Sequence, residues 1–328
     1  MEGYTVMTII IINPKNYLPL QSKEDYLIDS EGNSFPIIKG VPRIAELENY
    51  TANFGKQWNK FDKIQLDREI DGMTLSKDRF FAETRWDQED LAEKKVLEVG
   101  SGAGRFSKVM LEHTNGILYS VDFSDAVTAN FKNNCQIAPD RFHLFQANVY
   151  EMPFPDNSFD KVFCFGVLQH TPNFESSVKA LIGKAKPGAE IIVDFYPIKG
   201  WWTTINAKYI LRPVSKKIPH ERLFSMIEKN IDWLIACHLF LHKIGLGLMS
   251  RFLPICNVKE SFPKSLTKNE IREWAILDTF DQYSPEHDHP QRLTDVVKMF
   301  ERYGVEVVWA GPVYYIDGNS TVVRGIKK

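Results

Sequence analysis

Apolar and polar positions along the 328-residue chain follow two alternating periods. Five short β-prone apolar runs, at 95–99, 117–121, 142–147, 161–167 and 190–196, have the length and continuity of strands buried in a parallel sheet. After the first of them Phe106, Val109 and Met110 recur at i, i+3 and i+4, so a helix packs one face back on that sheet. Late in the chain Thr294 is placed to cap a helix whose apolar face is Val296, Val297, Phe300 and Tyr303, and Gly304 stops it. Two more strands, 305–310 and 321–326, are joined across Asp317-Gly318-Asn319-Ser320. The pattern predicts an α/β fold built on a doubly wound sheet.

Three stretches fall outside that alternation. Residues 6–12 are apolar, but Glu2 leads them, no basic segment precedes them and Asn13-Pro14 ends them, so they read as a strand rather than a targeting signal. Residues 26–44 have a turn-forming centre between β-prone flanks, and residues 50–91 read as helical and aromatic-rich, with Phe54, Trp58 and Phe61 near i, i+4 and i+7. An insert over 198–291 follows the fifth strand, and so emerges at the end of the sheet where ligands bind, placed as a lid. In its first half Leu223, Met226, Ile227 and Ile231 share a helix face. The run 233–252 is rich in Leu, Ile and Phe, yet His238, His242, Lys243, Arg251 and two glycines make it a poor bilayer span. A buried or substrate-facing helical pair is the first reading; shallow contact with a membrane surface, useful for a lipid-linked acceptor, is the second. The second half, 274–291, concentrates carboxylates, two imidazoles and a phenol without the periodicity of a solvated helix face. It is read either as an acceptor-binding segment or as a lid loop held by Asx and Ser turns beside Pro285 and Pro290. The domain reading is therefore 1–46 for a small β module, 47–93 for a helical segment, 94–198 with 291–328 for the core, and 199–290 for the insert.

The first strand runs into Glu98-Val99-Gly100-Ser101-Gly102-Ala103-Gly104-Arg105-Phe106. Glycines in alternate positions let the backbone turn sharply and let a ligand lie against the main chain. The dinucleotide fingerprint G-x-G-x-x-G brings a pyrophosphate to the helix N-terminus, but here the third glycine comes one residue early and Arg105 stands where that fingerprint wants a small residue. The form E-x-G-x-G-x-G instead resembles the first motif of class I S-adenosylmethionine-dependent methyltransferases. Later residues agree in order: Asp122 ends the second strand, where an acidic side chain can accept both hydroxyls of a ribose, and Asn148-Val149 follows the third. Met152-Pro153-Phe154-Pro155-Asp156-Asn157-Ser158-Phe159-Asp160 closely resembles the "LPFPDNSFD" signature of the small-molecule branch of that family, and Gln169-His170-Thr171-Pro172 follows the fourth strand.

The resemblance implies a Rossmann-like sheet of about seven strands closed by a C-terminal antiparallel hairpin, with S-adenosyl-L-methionine as cofactor. It also implies the site residues: Glu98 for the methionine amino group through the loop, Gly100, Gly102 and Gly104 for close backbone approach, and Asp122 for the ribose. Phe123 would pack on the adenine, Asn148 and Val149 would lie beside it, and Phe165 would offer backbone contacts. Asn148 stands where relatives usually carry aspartate, and its amide carbonyl can still accept a hydrogen bond. Gln57, Trp58 and Glu83 lie in the segment that folds over the cofactor in the resembling enzymes. The first 46 residues resemble a zinc-ribbon-like module found ahead of some bacterial methyltransferases, although without its paired cysteines, so such a module must hold by packing alone and no metal is expected; the alternative is an N-terminal hairpin that pads the core. Residues 274–291 resemble a segment of an uncharacterised bacterial methyltransferase group.

Methyl transfer from a sulfonium is an in-line displacement that needs alignment and exclusion of water. If the acceptor is a hydroxyl or an activated carbon, a base must take its proton, and His170 leads because it follows the fourth strand. His287, His289 and Tyr283 compete for that role, and the plain alternative for His170 is a structural hydrogen bond. Net charge near −2 with no dense basic run gives little reason to expect a nucleic-acid substrate, and the resemblance implies a small-molecule acceptor. Cys135, Cys164, Cys237 and Cys256 form no C-x-x-C pair, so neither disulfides nor zinc are indicated and a reducing cytoplasm is the default. Two other classes remain open: a nicotinamide-dependent oxidoreductase, disfavoured by the glycine spacing, and a non-catalytic protein that keeps the fold for binding.

Overall fold

In the computed structural model, residues 9–46, 51–68, 72–87 and 89–328 are described. An antiparallel meander comes first, of β1 (Gln21–Ser22), β2 (Tyr26–Ile28), β3 (Ser34–Ile38) and β4 (Val41–Pro42), followed by helices α1 (Ala52–Lys60) and α2 (Leu75–Thr84). The alternating core then runs β5 (Lys95–Val99), α3 (Arg105–His113), β6 (Ile117–Asp122), α4 (Val127–Asn134), β7 (Phe142–Gln146), β8 (Phe159–Cys164), α5 (Phe174–Lys184) and β9 (Ala185–Phe195). The insert contributes α6 (Ala207–Ser215), α7 (His220–Lys243), α8 (Val258–Ser261) and α9 (Lys268–Tyr283). The chain closes with α10 (Leu293–Arg302), β10 (Val305–Tyr315) and β11 (Gly318–Lys327).

The large sheet has the order β10-β11-β9-β8-β5-β6-β7. Strands β7, β6, β5, β8 and β9 pair in parallel, and β11 enters antiparallel to both β9 and β10. Strand order therefore reverses between β5 and β8, which opens a crevice outside the carboxyl ends of the strands. Successive strand residues alternate between two apolar cores. Val96, Leu118, Phe163 and Ile192 pack with Phe80 of α2, Val109 of α3 and Val127 of α4, whereas Leu97, Tyr119, Val162 and Ile191 pack with Val178 and Leu181 of α5 and Phe300 of α10. Both faces are covered, which is why these strands read as unbroken apolar runs.

The N-terminal module is tied to the sheet by Arg43. Its buried guanidinium donates to Gln146 Oε1 (3.0 Å) and Thr128 Oγ1 (2.7 Å) and lies 3.1 Å from Asp125 Oδ1. Packing alone does not hold the module, contrary to expectation. The buried carboxylate of Asp29 accepts from the side-chain amides of Asn13 (2.7 Å), Asn16 (2.9 Å) and Asn33 (2.9 Å) and from the backbone N–H groups of Glu31 and Asn33. A single carboxylate thus gathers the turn that cysteines would otherwise close. Of the strand expected over 6–12, residues 6–8 lie outside the described ones, and Ile12 makes a single antiparallel bridge to Pro19.

Elsewhere the structure moves several boundaries. The fourth strand ends at Cys164 because Gly166 turns the chain with φ +75° and donates its N–H to the Asp194 carboxylate. Helix α10 begins at Leu293, so Thr294 sits inside its first turn rather than capping it. In the insert Leu223, Ile227 and Ile231 are buried on one face of α7, but Met226 is exposed. The segment from Trp274 to Tyr283 is not a loop but the body of α9. Its side chains Trp274, Ala275, Ile276, Leu277, Thr279, Phe280 and Tyr283 are buried, so the helix is enclosed nearly all round and shows no amphipathic period. Thr267 and Glu270 start it with a capping box.

Replacing Asp29 by alanine leaves five donors without their acceptor. The expected outcome is early proteolysis within residues 9–46 and a lower melting temperature, with the wild-type melting temperature unchanged by EDTA; a wild-type loss of stability in EDTA contradicts the account.

Candidate active site

A cavity of about 1080 Å³ lies over the carboxyl ends of β5, β6, β8 and β9. Its floor is the loop after β5. Gly100 and Ser101 donate their N–H groups to Val121 O (2.7 and 3.2 Å), which curls the loop over the end of β6. At Gly100, φ is +81° and a Cβ would stand 2.1 Å from Val167 Cγ2, so only glycine fits the turn. The carboxylate of Asp122 holds the loop from the side: Oδ2 accepts from Gly102 N (2.8 Å), and Oδ1 accepts from Ser124 N (2.8 Å) and Ser124 Oγ (2.6 Å). Burial raises the Asp122 pKa, against the Ser124 and Gly102 hydrogen bonds that lower it.

The cavity wall takes in Gly100, Gly102, Asp122, Phe123, Asn148, Val149 and Phe165. Asn148 Oδ1 already accepts from Tyr150 N (3.1 Å). Glu98 and Gly104 lie outside that wall, the former expected to act only through the loop. Glu98 sits beneath the loop, where Oε2 accepts from Ser107 Oγ (2.5 Å) and Ser120 Oγ (2.8 Å), and so it fastens α3 and β6 to β5. Gly104 is also below the floor, with φ +87° and a Cβ position 2.2 Å from Asn130 Oδ1 and Asn134 Nδ2, so it serves the approach of α4 to α3. Among the residues of the preceding segment, Gln57 and Trp58 line the cavity, with Gln57 Nε2 donating to Leu277 O (3.2 Å). Glu83 does not; its Oε1 accepts from Arg79 Nε (2.7 Å) and Ser320 Oγ (2.6 Å). Nothing is described of the Phe54 side chain.

His170 faces the cavity from the 3-10 turn after β8. Its Nδ1 is 3.2 Å from His287 O, its Nε2 is 4.0 Å from Asp281 Oδ2, and its ring meets Tyr196 edge-on at 5.6 Å. A carbonyl oxygen only accepts, so Nδ1 carries the hydrogen and Nε2 is the basic nitrogen. Burial holds the imidazole below the ordinary histidine pKa of 6.5, against the pull of Asp281 and Asp288. The other three base candidates are outside the cavity wall. His287 contributes its backbone carbonyl to His170, its ring stacks with that of His289 at 5.9 Å, and Tyr283 is buried in the packed interior of the insert.

The insert roofs the cavity, as its place after the fifth strand predicts, but the two aspartates that face inward from it were not among the expected site residues. Asp278 and Asp281, three residues apart on α9, both line the cavity. Burial, and then the neighbouring Asp281 charge, push Asp278 up to about 7, and burial raises Asp281 as well. Lys208 of α6 reaches Asp288 Oδ2 at 2.9 Å and lies 4.4 Å from the Tyr196 ring centre, locking the insert onto the end of β9. Arg79 of α2 pairs with Glu83 and with Asp194 at the end of β9. The i, i+3 spacing of the two aspartates was the available signal, but it needs the segment to be read as a helix.

Residues 97–193 match the model of a family described as a methyltransferase domain, which is less than a third of the chain. A tRNA U34 carboxymethyltransferase of Nautilia profundicola is 34% identical over 113 residues, covering 34% of this chain and 37% of that protein. A ubiquinone biosynthesis O-methyltransferase of Acinetobacter baumannii is 25% identical over 190 residues, covering 53% of this chain and 72% of that protein. The chain thus spans little more than a third of the tRNA relative's length. Among solved structures, magnesium protoporphyrin IX methyltransferase of Synechocystis aligns with a TM-score of 0.47 and 17% identity, over 85% of this chain and 97% of that one.

Burial lifts the Glu98 pKa to about 7 from an ordinary 4.5, with the serine hydrogen bonds opposing the rise. The folded state therefore holds this proton longer than the unfolded chain, and Glu98 loses stability for the fold as pH rises from 4.5 through about 7. In Glu98→Gln that slope disappears. Thermal unfolding across this range is expected to show a gap that grows with pH in the variant's favour, on the order of 3 kcal/mol by pH 7; parallel curves contradict the assignment.

Proposed function

With a methyltransferase domain over residues 97–193 as the starting point, we propose that the protein is an S-adenosyl-L-methionine-dependent methyltransferase acting on a small-molecule acceptor. The observation that carries this reading is a glycine loop, bracketed by Asp122, at the floor of a cavity whose wall holds His170 opposite Asp281. The residues fit the cofactor. The Gly100–Gly102 backbone lines the cavity for the methionine portion, the Asp122 carboxylate suits ribose hydroxyls, Phe123, Asn148 and Val149 offer an apolar slot with one amide for the adenine, and Phe165 offers its backbone. Bound there, S-adenosyl-L-methionine supplies an electrophilic methyl group on a sulfonium.

The remaining chemistry belongs to the chain. Trp58 and the α9 roof exclude water from the space above the loop. His170 Nε2 takes the acceptor's proton, and the Asp281 carboxylate stabilises the imidazolium so formed while His287 O fixes the ring. A lowered pKa keeps His170 neutral, and so competent as a base, at neutral pH.

A net charge of −2 with no dense basic run gives little electrostatic attraction for the phosphates of a tRNA acceptor, which supports a small molecule. The free cysteines fit the reducing cytoplasm as the place of action.

Calorimetric titration tests the cofactor: S-adenosylmethionine and S-adenosylhomocysteine are expected to bind in the micromolar range, NADH not at all, and Asp122→Ala at least tenfold more weakly, a change of about 1.4 kcal/mol. Binding of NADH alone, or silence throughout, contradicts the reading. With an acceptor from a screen, His170→Ala is expected to lose on the order of 10²–10⁴ in turnover while cofactor affinity stays within about threefold. The wild-type rate should fall on the acid side through a pKa below 6.5; an unchanged rate in the variant removes His170 from the mechanism.

A further inference from the structure

The insert leaves uncovered apolar surface beside the cavity mouth. On α7 the face bearing Leu223, Ile227 and Ile231 is buried, but Met226, Trp233 and Phe240, spaced seven residues apart, are exposed on another face. That stripe is about 20 Å long and roughly a third of a turn from the buried face, so α7 is apolar on two sides and covered on one. The stripe leads to the 3-10 turn Gly247–Phe252, where Leu248 is 85% exposed. This turn is fixed to its surroundings: Ser250 Oγ is 3.2 Å from His242 Nε2, and Arg251 Nη2 donates to Trp202 O (2.6 Å). Trp202, Leu248 and Arg251 line the cavity, and the neighbouring Trp201 is 79% exposed. Single exposed apolar residues need no explanation, but an indole-rich stripe continuous with a cavity rim does.

Charge separates the occupants. Residues 199–252 carry nine lysines and arginines against three acids, in a chain whose net charge is −2, and with Lys208 and Arg212 set aside as buried against Asp288 seven cations still outnumber the acids. Two copies meeting through this face would set like charges together, and nucleic acid would use the cations but leave the indoles and aliphatics unsatisfied. An anionic lipid surface accepts both, with apolar side chains in the headgroup boundary, tryptophans at the interface and cations over the phosphates. No helix among the described residues is long and apolar enough to cross a membrane.

We propose that this face of the insert docks the protein on the surface of a bilayer containing anionic lipid. The cavity mouth then opens at the bilayer, and, given the methyltransferase activity proposed above, an acceptor dissolved in that bilayer reaches the cavity without crossing water.

Flotation with vesicles of phosphatidylglycerol and phosphatidylcholine, against phosphatidylcholine alone, tests the proposal on the full chain. The wild type is expected to float with the anionic vesicles and to be released by high salt. The triple variant Trp201→Ser, Trp233→Ser, Phe240→Ser, which alters exposed side chains outside the cavity wall, is expected to bind at least tenfold more weakly while keeping its melting temperature. Failure of the wild type to float, or equal binding by the variant, overturns the proposal. So does a dimer in sedimentation velocity, or a tRNA mobility shift, that the same variant abolishes in a protein that ignores vesicles. Titration of S-adenosylmethionine into the same preparations keeps the two readings apart. Vesicle binding without cofactor binding sinks the methyltransferase reading alone, and cofactor binding without vesicle binding sinks the docking alone.

Discussion

The geometry of the site depends on one carboxylate, that of Asp122. It ends β6 and, through its two oxygens, holds Gly102 of the neighbouring loop and the start of the next turn at Ser124. The sheet supplies the rest of the constraint. Because strand order reverses between β5 and β8, the loops after these strands diverge and leave a crevice, and Asp122 fixes one of its edges. A carboxylate used in this way is already desolvated and oriented before any ligand arrives.

A second layer lies beneath the first. Glu98, Ser107, Ser120, Asn130 and Asn134 form a buried polar cluster under the glycine loop, linking β5 and β6 to α3 and α4. Its members face one another rather than the cavity, so it acts as a support that keeps the loop from collapsing into the core. The roof is a separate apolar body in which α7 and α9 pack together with Phe61 and Ile64 of the segment after α1. Floor and roof thus belong to different cores, and the cavity is the seam between them.

What was legible in the sequence follows from this division. The strands, the glycine loop and Asp122 were readable because their signals are local: a run, a turn, a residue at a strand end. Glu98 and Gly104 were recognised as residue types, but their contacts with Ser107, Ser120 and Asn130 are made between elements, which local spacing does not reveal. Asp281 and Lys208 were not readable as site residues, because their meeting with His170 and Tyr196 is decided by how the insert settles on the sheet. Helix α9 hid itself for a related reason, since burial on nearly all sides erases the period by which helices are found. Asp29 was overlooked as the centre of the N-terminal module because a carboxylate in a turn is ordinarily a solvated residue, and only the folded chain brings Asn13 and Asn33 to it.

The most direct test is a crystal structure with S-adenosylhomocysteine bound. The account predicts the ligand along the Gly100–Gly102 backbone, with its ribose on Asp122, its sulfur facing the space before His170, and Glu98 still turned toward Ser107 and Ser120. A ligand seated elsewhere, or a loop that must leave Asp122 to admit it, would contradict the claim that this cavity is the methyl-transfer site.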